Sequence, residues 1–596
     1  MERADPSMAQ ADLIIRQGTI VDGHGGEPYV ADVAVRSDRI VAIGTLDGWA
    51  AEQAIDARGK LVTPGFVDIH THYDGQVIWE DRLIPSCYHG VTTALMGNCG
   101  VGFAPCRAED RDRLVCLMEG IEDIPEIVMT EGLTWEWETY PEYLDAVERR
   151  SHDINIASLL PHSALRVYVM GERAATGAAT QDDLDRMAAL TREAMAAGAL
   201  GFGSSRTIFH RSSDGEKAPT LAAGERELKT IATAMKEAGG GIIEIATDYD
   251  EGRNVAGEFS LLRRVAGETG QTLMVPTVQF HDTPDAWREV LALMDAANRD
   301  GASVKGQVTP RGVGMLFGLE LSMHPFILSP AYREIAHLPL PDRLAAMREP
   351  ARRQRIIEEE PLPPPVPLLA SVRQFDRMFV MGARPDYEPS ADSSVAAEAA
   401  RLSLSPAAFA FDVLTAGDGT DTLYLPSSNY ADGNLEPVLA MMRHQHTVLG
   451  LGDAGAHCGA ICDASYPTFM LTHWVRDRTQ GERLPLPQVI KALSHDTAAM
   501  VGLHDRGVLL PGYKADINII DHDAMVLHGP RISFDLPAGG RRLTQEATGY
   551  VATIVNGRIV YRHGEHSGAL PGELIRGRRA APEARAAMTV GEAIEA

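Results

Sequence analysis

The chain has 596 residues, 45% of them hydrophobic, which is material for a large core and more than one ordinary domain needs. Its 82 acidic residues against 55 basic ones leave a formal charge of −27, which opposes binding to nucleic acid or to an anionic membrane. No apolar run is long enough to span a bilayer, Met1–Asp5 leads into no signal-like hydrophobic region, and six cysteines make no disulfide framework in so long a chain, so a cytoplasmic protein is expected.

Residues 8–63 read as short strands such as Leu13-Ile14-Ile15 and Val33-Ala34-Val35, separated by Gly and Asp turn signals. The apolar run Pro64-Gly65-Phe66-Val67-Asp68-Ile69 then delivers His70 and His72 to one face of a strand, because residues two apart project together, while Thr71 points the other way. Two imidazoles so placed can grip a divalent metal; alone, such a pair is more often a polar strand end. His89-Gly90-Val91-Thr92-Thr93 and Met96-Gly97-Asn98-Cys99-Gly100 follow.

Strand-like runs then alternate with helical stretches, as expected of repeated β-α units around a parallel barrel. Ile154–His162, Ala199–Ser205, Gly241–Asp248, Leu273–Gln279 and Val448–Asp453 read as strands, and Thr180 as the N-cap of a helix reaching Ala197. The stretch 324–404 breaks this rhythm with Arg352-Arg353-Gln354-Arg355, Glu358-Glu359-Glu360 and Pro361-Leu362-Pro363-Pro364-Pro365, and is assigned to an insertion over the barrel mouth whose charges form a solvated face. Cys87, Cys106 and Cys116 read as buried small residues, and Cys458 and Cys462 lack a second close-spaced pair that would complete a metal site. Strand patterns return at 506–521 and 553–560.

The His-x-His end of a first barrel strand, the Gly-Val-Thr-Thr segment after it and the Gly-Asn-Cys-Gly loop together resemble the amidohydrolase superfamily, in its N-acyl-D-amino-acid deacylase branch. Gly450-Leu451-Gly452-Asp453-Ala454-Gly455 and Leu493-Ser494-His495-Asp496-Thr497 extend the match over nearly the whole chain. The resemblance implies an α/β fold: a distorted (β/α)8 TIM barrel over 64–504, beside a small β-sandwich built from 8–63 and 505–575, with a tail at 576–596. It also implies a metal set of His70, His72, Cys99 and Asp453 holding one or two zinc ions. Asp453 would serve as general base and acid toward a metal-activated water.

Departures limit what carries over. Deacylases of this branch have ligand histidines at the fifth and sixth strands, whereas here the fifth reads Glu244-Ile245-Ala246-Thr247-Asp248. Glu244 and Asp248 share a strand face, and either carboxylate could replace the imidazole, bind substrate or pair with a base; Asp248 enters the expected metal set. His281 is near the sixth-strand position but offset by about one residue, so it would need a bulge to serve as a ligand. The family arginine that takes a substrate carboxylate is missing from Asp463-Ala464-Ser465-Tyr466-Pro467-Thr468-Phe469. Arg206 and His210 are the preferred substitutes, with a surface salt bridge as the alternative, and His162 is either a substrate contact or a core histidine.

The expected function is hydrolysis of a linear amide, an N-acyl amino acid or related secondary amide, by a homo-oligomer. A cyclic-amide or lactone hydrolase, or a silent scaffold on the same fold, are the alternatives.

Overall fold

A computed structural model describes residues 10–364 and 367–583. Met1–Asp5, Pro365 and the part of the expected tail from 584 onward lie outside the described residues. None of the helices among the described residues is long and apolar enough to cross a membrane.

Eight short parallel strands organise the middle of the chain: β1 (Phe66–Asp68), β2 (Val91–Met96), β3 (Asn155–Ser158), β4 (Gly201–Ser205), β5 (Ile242–Ala246), β6 (Thr272–Pro276), β7 (Val304–Val308) and β8 (Thr447–Leu449). β1 pairs with β2 and β2 with β3. The run of β3 continues through Leu159 into Leu160–Pro161, which pairs with β4. From there β4, β5, β6, β7 and β8 pair in order. A parallel bridge between Thr71, just past β1, and Ala454, just past β8, joins the two ends of the series.

Helices return the chain between strands: Gln181–Ala197, Glu225–Glu237, Val255–Thr269 and Ala286–Arg299 precede β4, β5, β6 and β7 respectively. The first carries the expected cap. Thr180 accepts from the Asp183 N–H while the Asp183 carboxylate accepts from the Thr180 N–H. Strand residues Val67, Leu95, Ala157, Ile242 and Met274, with Leu200 just before β4, pack with Ala498, Val501 and Leu503 in one apolar cluster, so the helical turns near 498 seat against the strands.

Both ends of the chain meet in one sheet. The front strands, among them Gln10–Ile20 and Leu61–Pro64, join the rear strands through Leu61–Pro64, which pairs antiparallel with Ile517–Ile520. Ile15, Val33, Val62, Ile517, Ile519 and Ile554 form its apolar face. Pro64 pairs with Ile517 and the Gly65 N–H donates to the Asp516 carbonyl at 2.8 Å, so the start of β1 is held by residues from the rear of the chain.

The stretch 324–404, expected as an insertion, packs together with its flanking residues 313–323 and 405–428. Val313–Phe317, Thr422–Ser428 and Phe379–Met381 form a small antiparallel sheet over which helices Leu340–Arg348, Pro350–Glu358 and Pro406–Leu414 lie. Phe317, Phe326, Tyr332, Met347 and Phe411 supply its core. Arg352 and Arg355 pair with Glu334 on the outside, the solvated face that their composition implied.

Ile519 is fully buried between Val62 and Ala552. Truncating it to alanine should cost about 2–5 kcal/mol and move the urea midpoint of the unfolding transition downward; an unchanged midpoint would show that the shared sheet contributes little to holding the chain together.

Candidate metal centre

His70 and His72 sit just beyond β1 rather than within it, since the strand proper ends at Asp68. The extended path nonetheless continues, because the His72 N–H donates to the Ala454 carbonyl at 2.7 Å and the Asp453 N–H donates to the His70 carbonyl at 3.1 Å. Thr71 points the opposite way and donates its hydroxyl to the Leu95 carbonyl. The alternation expected of the histidine pair therefore survives the loss of strand pairing.

Cys99 arrives from the loop after β2, in a left-handed backbone conformation with φ 53°. The loop needs its glycines: Gly97 has φ 85°, and a Cβ there would lie 2.3 Å from the Leu159 carbonyl oxygen. Asn98 ties the loop to the histidine segment by donating its amide to the carbonyls of Thr71 and Leu95. The result brings ligand atoms of His70, His72 and Cys99 within 4.8 Å of one another. Cys99 Sγ is 3.5 Å from His70 Nε2.

Asp453 follows β8 with φ 48°, in a loop where Leu451 and His457 also have positive φ. Its Oδ1 lies 3.2 Å from His70 Nε2 and 3.6 Å from His72 Nε2. Burial works against a charge on Asp453, yet the hydrogen bond from His72 and the nearby His70 and His457 hold its carboxyl well below the usual range. It is therefore ionised, and its side chain is 20% exposed, the most open of the four groups.

The two imidazoles are oriented from behind. His70 Nδ1 is 2.7 Å from the Gln307 amide oxygen on β7, which holds Nδ1–H as the donor and leaves Nε2 toward Cys99 and Asp453. His72 Nδ1 is 3.5 Å from Glu122 Oε1, at the end of helix Arg111–Glu122. Burial drives His70 down to about 4, so it is neutral. Burial opposes a charge on His72 as well, but Glu122 and Asp453 outweigh it and lift that imidazole to about 9.

The donor set of two imidazoles, a thiol and a carboxylate suits zinc. The surroundings fit an ion too: Glu244 Oε1 is buried beside the Cys99 loop without a hydrogen-bond partner, and His72 Nδ1 and Glu122 Oε1, both buried, meet each other only at 3.5 Å.

Several expected site residues are engaged elsewhere. The Asp248 carboxylate accepts from the Thr207 hydroxyl and the backbone N–H groups of Ile208 and Asp250, so it caps a loop instead of facing the cluster. His281 donates Nε2–H to the Pro426 carbonyl at 2.9 Å and stands outside the cluster, as its one-residue offset implied without a compensating bulge. Arg206 is bidentate on Glu258, at 2.6 and 3.1 Å, which leaves it the salt bridge rather than the carboxylate receptor. His162 uses both ring nitrogens, on Ser204 Oγ and Glu227 Oε1 at 2.8 Å each, and is a satisfied core histidine. His210 Nδ1 is 2.8 Å from Ser205 Oγ, and desolvation with the charges of His72 and His457 pushes its imidazole down to about 3.

No local sequence signal marks Glu122 or His457 as site residues. His457 Nε2 is 3.6 Å from Glu122 Oε2, and its side chain is 23% exposed at the mouth of the centre. Glu122 lies in a helix tail whose neighbour Asp123 accepts from the Gly459 N–H and the Ser322 hydroxyl, so tertiary docking alone brings it here.

Residues 53–561 match the family model described as the Amidohydrolase family, and the chain belongs to that family. It is similar to a D-aminoacylase of Alcaligenes xylosoxydans xylosoxydans, with 32% identity over 292 residues that cover 48% of this chain and 54% of that protein. An N-acyl-D-aspartate deacylase of the same organism is 37% identical over 198 residues, 33% of this chain and 37% of that one. The chain thus spans about half or less of the length of the curated relatives it matches. An N-acyl-D-glutamate deacylase structure from Bordetella bronchiseptica, complexed with zinc and a phosphonate inhibitor, shares the fold with a TM-score of 0.62, 23% identity, and coverage of 95% of this chain and 100% of that one.

Because His72 keeps its proton up to about pH 9, a cation must displace that proton to bind. Metal affinity should therefore rise with pH, by about tenfold or more per unit between pH 6 and 9, and go on rising above that, because burial pushes the Cys99 thiol up and it too must lose its proton to bind. Competition against a chelator at several pH values measures this, and a flat profile would contradict the assignment of His72 as a ligand.

Proposed function

We propose that the protein is a metal-dependent hydrolase of a linear amide bond, acting on an N-acyl amino acid or a related secondary amide. The observation that carries this reading is the meeting of His70, His72 and Cys99, whose ligand atoms lie within 4.8 Å of one another, with Asp453 Oδ1 3.2 Å from His70 Nε2 and 3.6 Å from His72 Nε2. The eight parallel strands, bridged from Thr71 to Ala454, support a distorted (β/α)8 barrel with this point at the C-terminal strand ends, where such barrels carry their chemistry. The sheet shared by both chain ends supports the accompanying β-sandwich.

His70, His72, Cys99 and Asp453 would hold the ion, zinc by the chemistry of the donors. When bound, a divalent cation polarises an amide carbonyl and makes water acidic enough to attack near neutral pH. Asp453, ionised and partly open to solvent, accepts the proton of the attacking water and returns it to the departing nitrogen. Gln307 fixes the tautomer of His70, and Glu122 faces the outer nitrogen of His72, so neither ring can turn away. A cytoplasmic setting and a homo-oligomer are the expected location and assembly.

Recognition of the substrate is where this chain differs from an N-acyl-D-amino-acid deacylase pattern. Arg206 is taken by Glu258, and Arg311 behind the 463–469 segment is taken by Asp463 at 2.7 Å. Neutral or bulky amides should therefore compete well with N-acyl-D-amino acids. The measurement is kcat/KM for an N-acyl-D-amino acid relative to its carboxamide; a ratio above about 10⁴, the scale of dedicated polar recognition, would restore carboxylate specificity and defeat this expectation.

Asp453→Asn should cut turnover at least about 100-fold, the usual contribution of a general acid–base group, in protein that still holds most of its metal. His70→Ala should lose metal and activity together. Metal analysis of protein purified without added metal, with a mass-spectrometric screen of N-acyl amino acids and neutral amides, tests the whole reading. Substoichiometric metal with no hydrolysis of any amide would make the protein a scaffold instead.

A further inference from the structure

Glu244 projects from β5 into the same buried region as Cys99, and the two are joined: the Cys99 backbone N–H donates to Glu244 Oε2 at 2.8 Å. Its other oxygen, Oε1, is buried and has no partner, and the residue is only 1% exposed. Neither Lys nor Arg hydrogen-bonds to Glu244 or Glu122 among the described residues; the ion-pair neighbours of Glu122 are the imidazoles of His72 and His457.

The backbone is shaped to allow this meeting. Gly203 on β4 is the register partner of Glu244 on β5, and a Cβ at Gly203 would lie 2.0 Å from the Gly97 carbonyl oxygen. A Cβ at Gly100 would lie 2.8 Å from Ser204 Cα. The absence of both side chains lets the Cys99 loop rest directly on β4, beside the Glu244 carboxylate. A buried carboxylate is costly unless a cation or well-placed donors compensate it, and the one hydrogen-bond donor to Glu244 is the Cys99 N–H.

We propose that Glu244 is a direct ligand of the metal centre, coordinating on the Cys99 side through the oxygen that has no protein partner. This rests on the metal-centre reading given above. Carboxylate oxygen is an ordinary zinc donor, so the missing fifth-strand imidazole is replaced in kind, by Glu244 and not by Asp248. The bond from Cys99 N–H to Oε2 positions the carboxylate and leaves Oε1 free to coordinate.

The test separates coordination from mere support of the loop. Glu244→Gln keeps an acceptor for the Cys99 N–H but presents a weaker ligand, whereas Glu244→Ala removes both. Metal affinity of the full-length chain is measured by chelator competition, with zinc as the probe, and the coordination sphere by the visible absorption of the cobalt-substituted protein; wild type and His70→Ala serve as references. Glu244→Gln should weaken zinc binding by at least about tenfold and change the cobalt spectrum, with a far-UV spectrum like that of wild type. Zinc affinity of Glu244→Gln within threefold of wild type with an unchanged cobalt spectrum would overturn the proposal, whatever Glu244→Ala does. Failure of the wild type itself to bind zinc would overturn the underlying metal-centre reading, a result distinct from loss of the Glu244 contribution alone.

Discussion

The structure depends on two backbone hydrogen bonds that tie the segment after β1 to the segment after β8: Asp453 N–H to the His70 carbonyl and His72 N–H to the Ala454 carbonyl. They join parts of the chain nearly four hundred residues apart, and they set the histidine pair against the carboxylate with no tolerance for a register slip. A one-residue shift would turn both imidazoles away and put Thr71 in their place. Buried hydrogen bonds of this kind resist slippage because breaking them strands a donor and an acceptor away from water.

The chemistry around that joint is built from groups that oppose one another. His70 is kept neutral by burial, while His72, two residues on, is kept protonated by the carboxylates around it. Asp453 stays ionised because it answers both rings, whereas burial raises Glu244 to about 8. Without a cation the cluster holds its protons in an unequal distribution, and a cation would even it out by displacing them. Coordination and proton release are then one event, which is the usual behaviour of sites whose ligands must be deprotonated.

What could be seen in the sequence was what is encoded locally. His-x-His, Gly-Asn-Cys-Gly and Gly-Asp-Ala-Gly are short words whose backbone requirements, alternation in the first and left-handed turns in the others, place their side chains without help from afar. Thr180 announced its helix in the same way. Glu122 and Gln307 could not be found so, because nothing near them in sequence marks them and only packing of a helix tail and of β7 brings them to the histidines. The local signals that misled did so for one reason. Arg206, His162, Asp248 and His281 have the right residue type near the right strand end, but each has a neighbour, Glu258, Glu227, Thr207 and Pro426 respectively, that uses its polar atoms first. The strand pattern also hid the core of the insertion, where apolar residues at helical spacing are interleaved with a charged outer face.

The sheet shared by the two ends of the chain has a bearing on how the protein is made. Leu61–Pro64, which leads into β1, is flanked on one side by Ile517–Ile520, so the approach to His70 lacks its neighbour until residues beyond 520 have left the ribosome. At a synthesis rate of roughly 5–20 residues per second, the nascent chain carries an exposed strand edge and an unassembled centre for tens of seconds. Chaperone protection of that edge, and delivery of metal only after release, would suit such an order of events; so the fold makes the centre a late product of translation, completed when the last strands arrive.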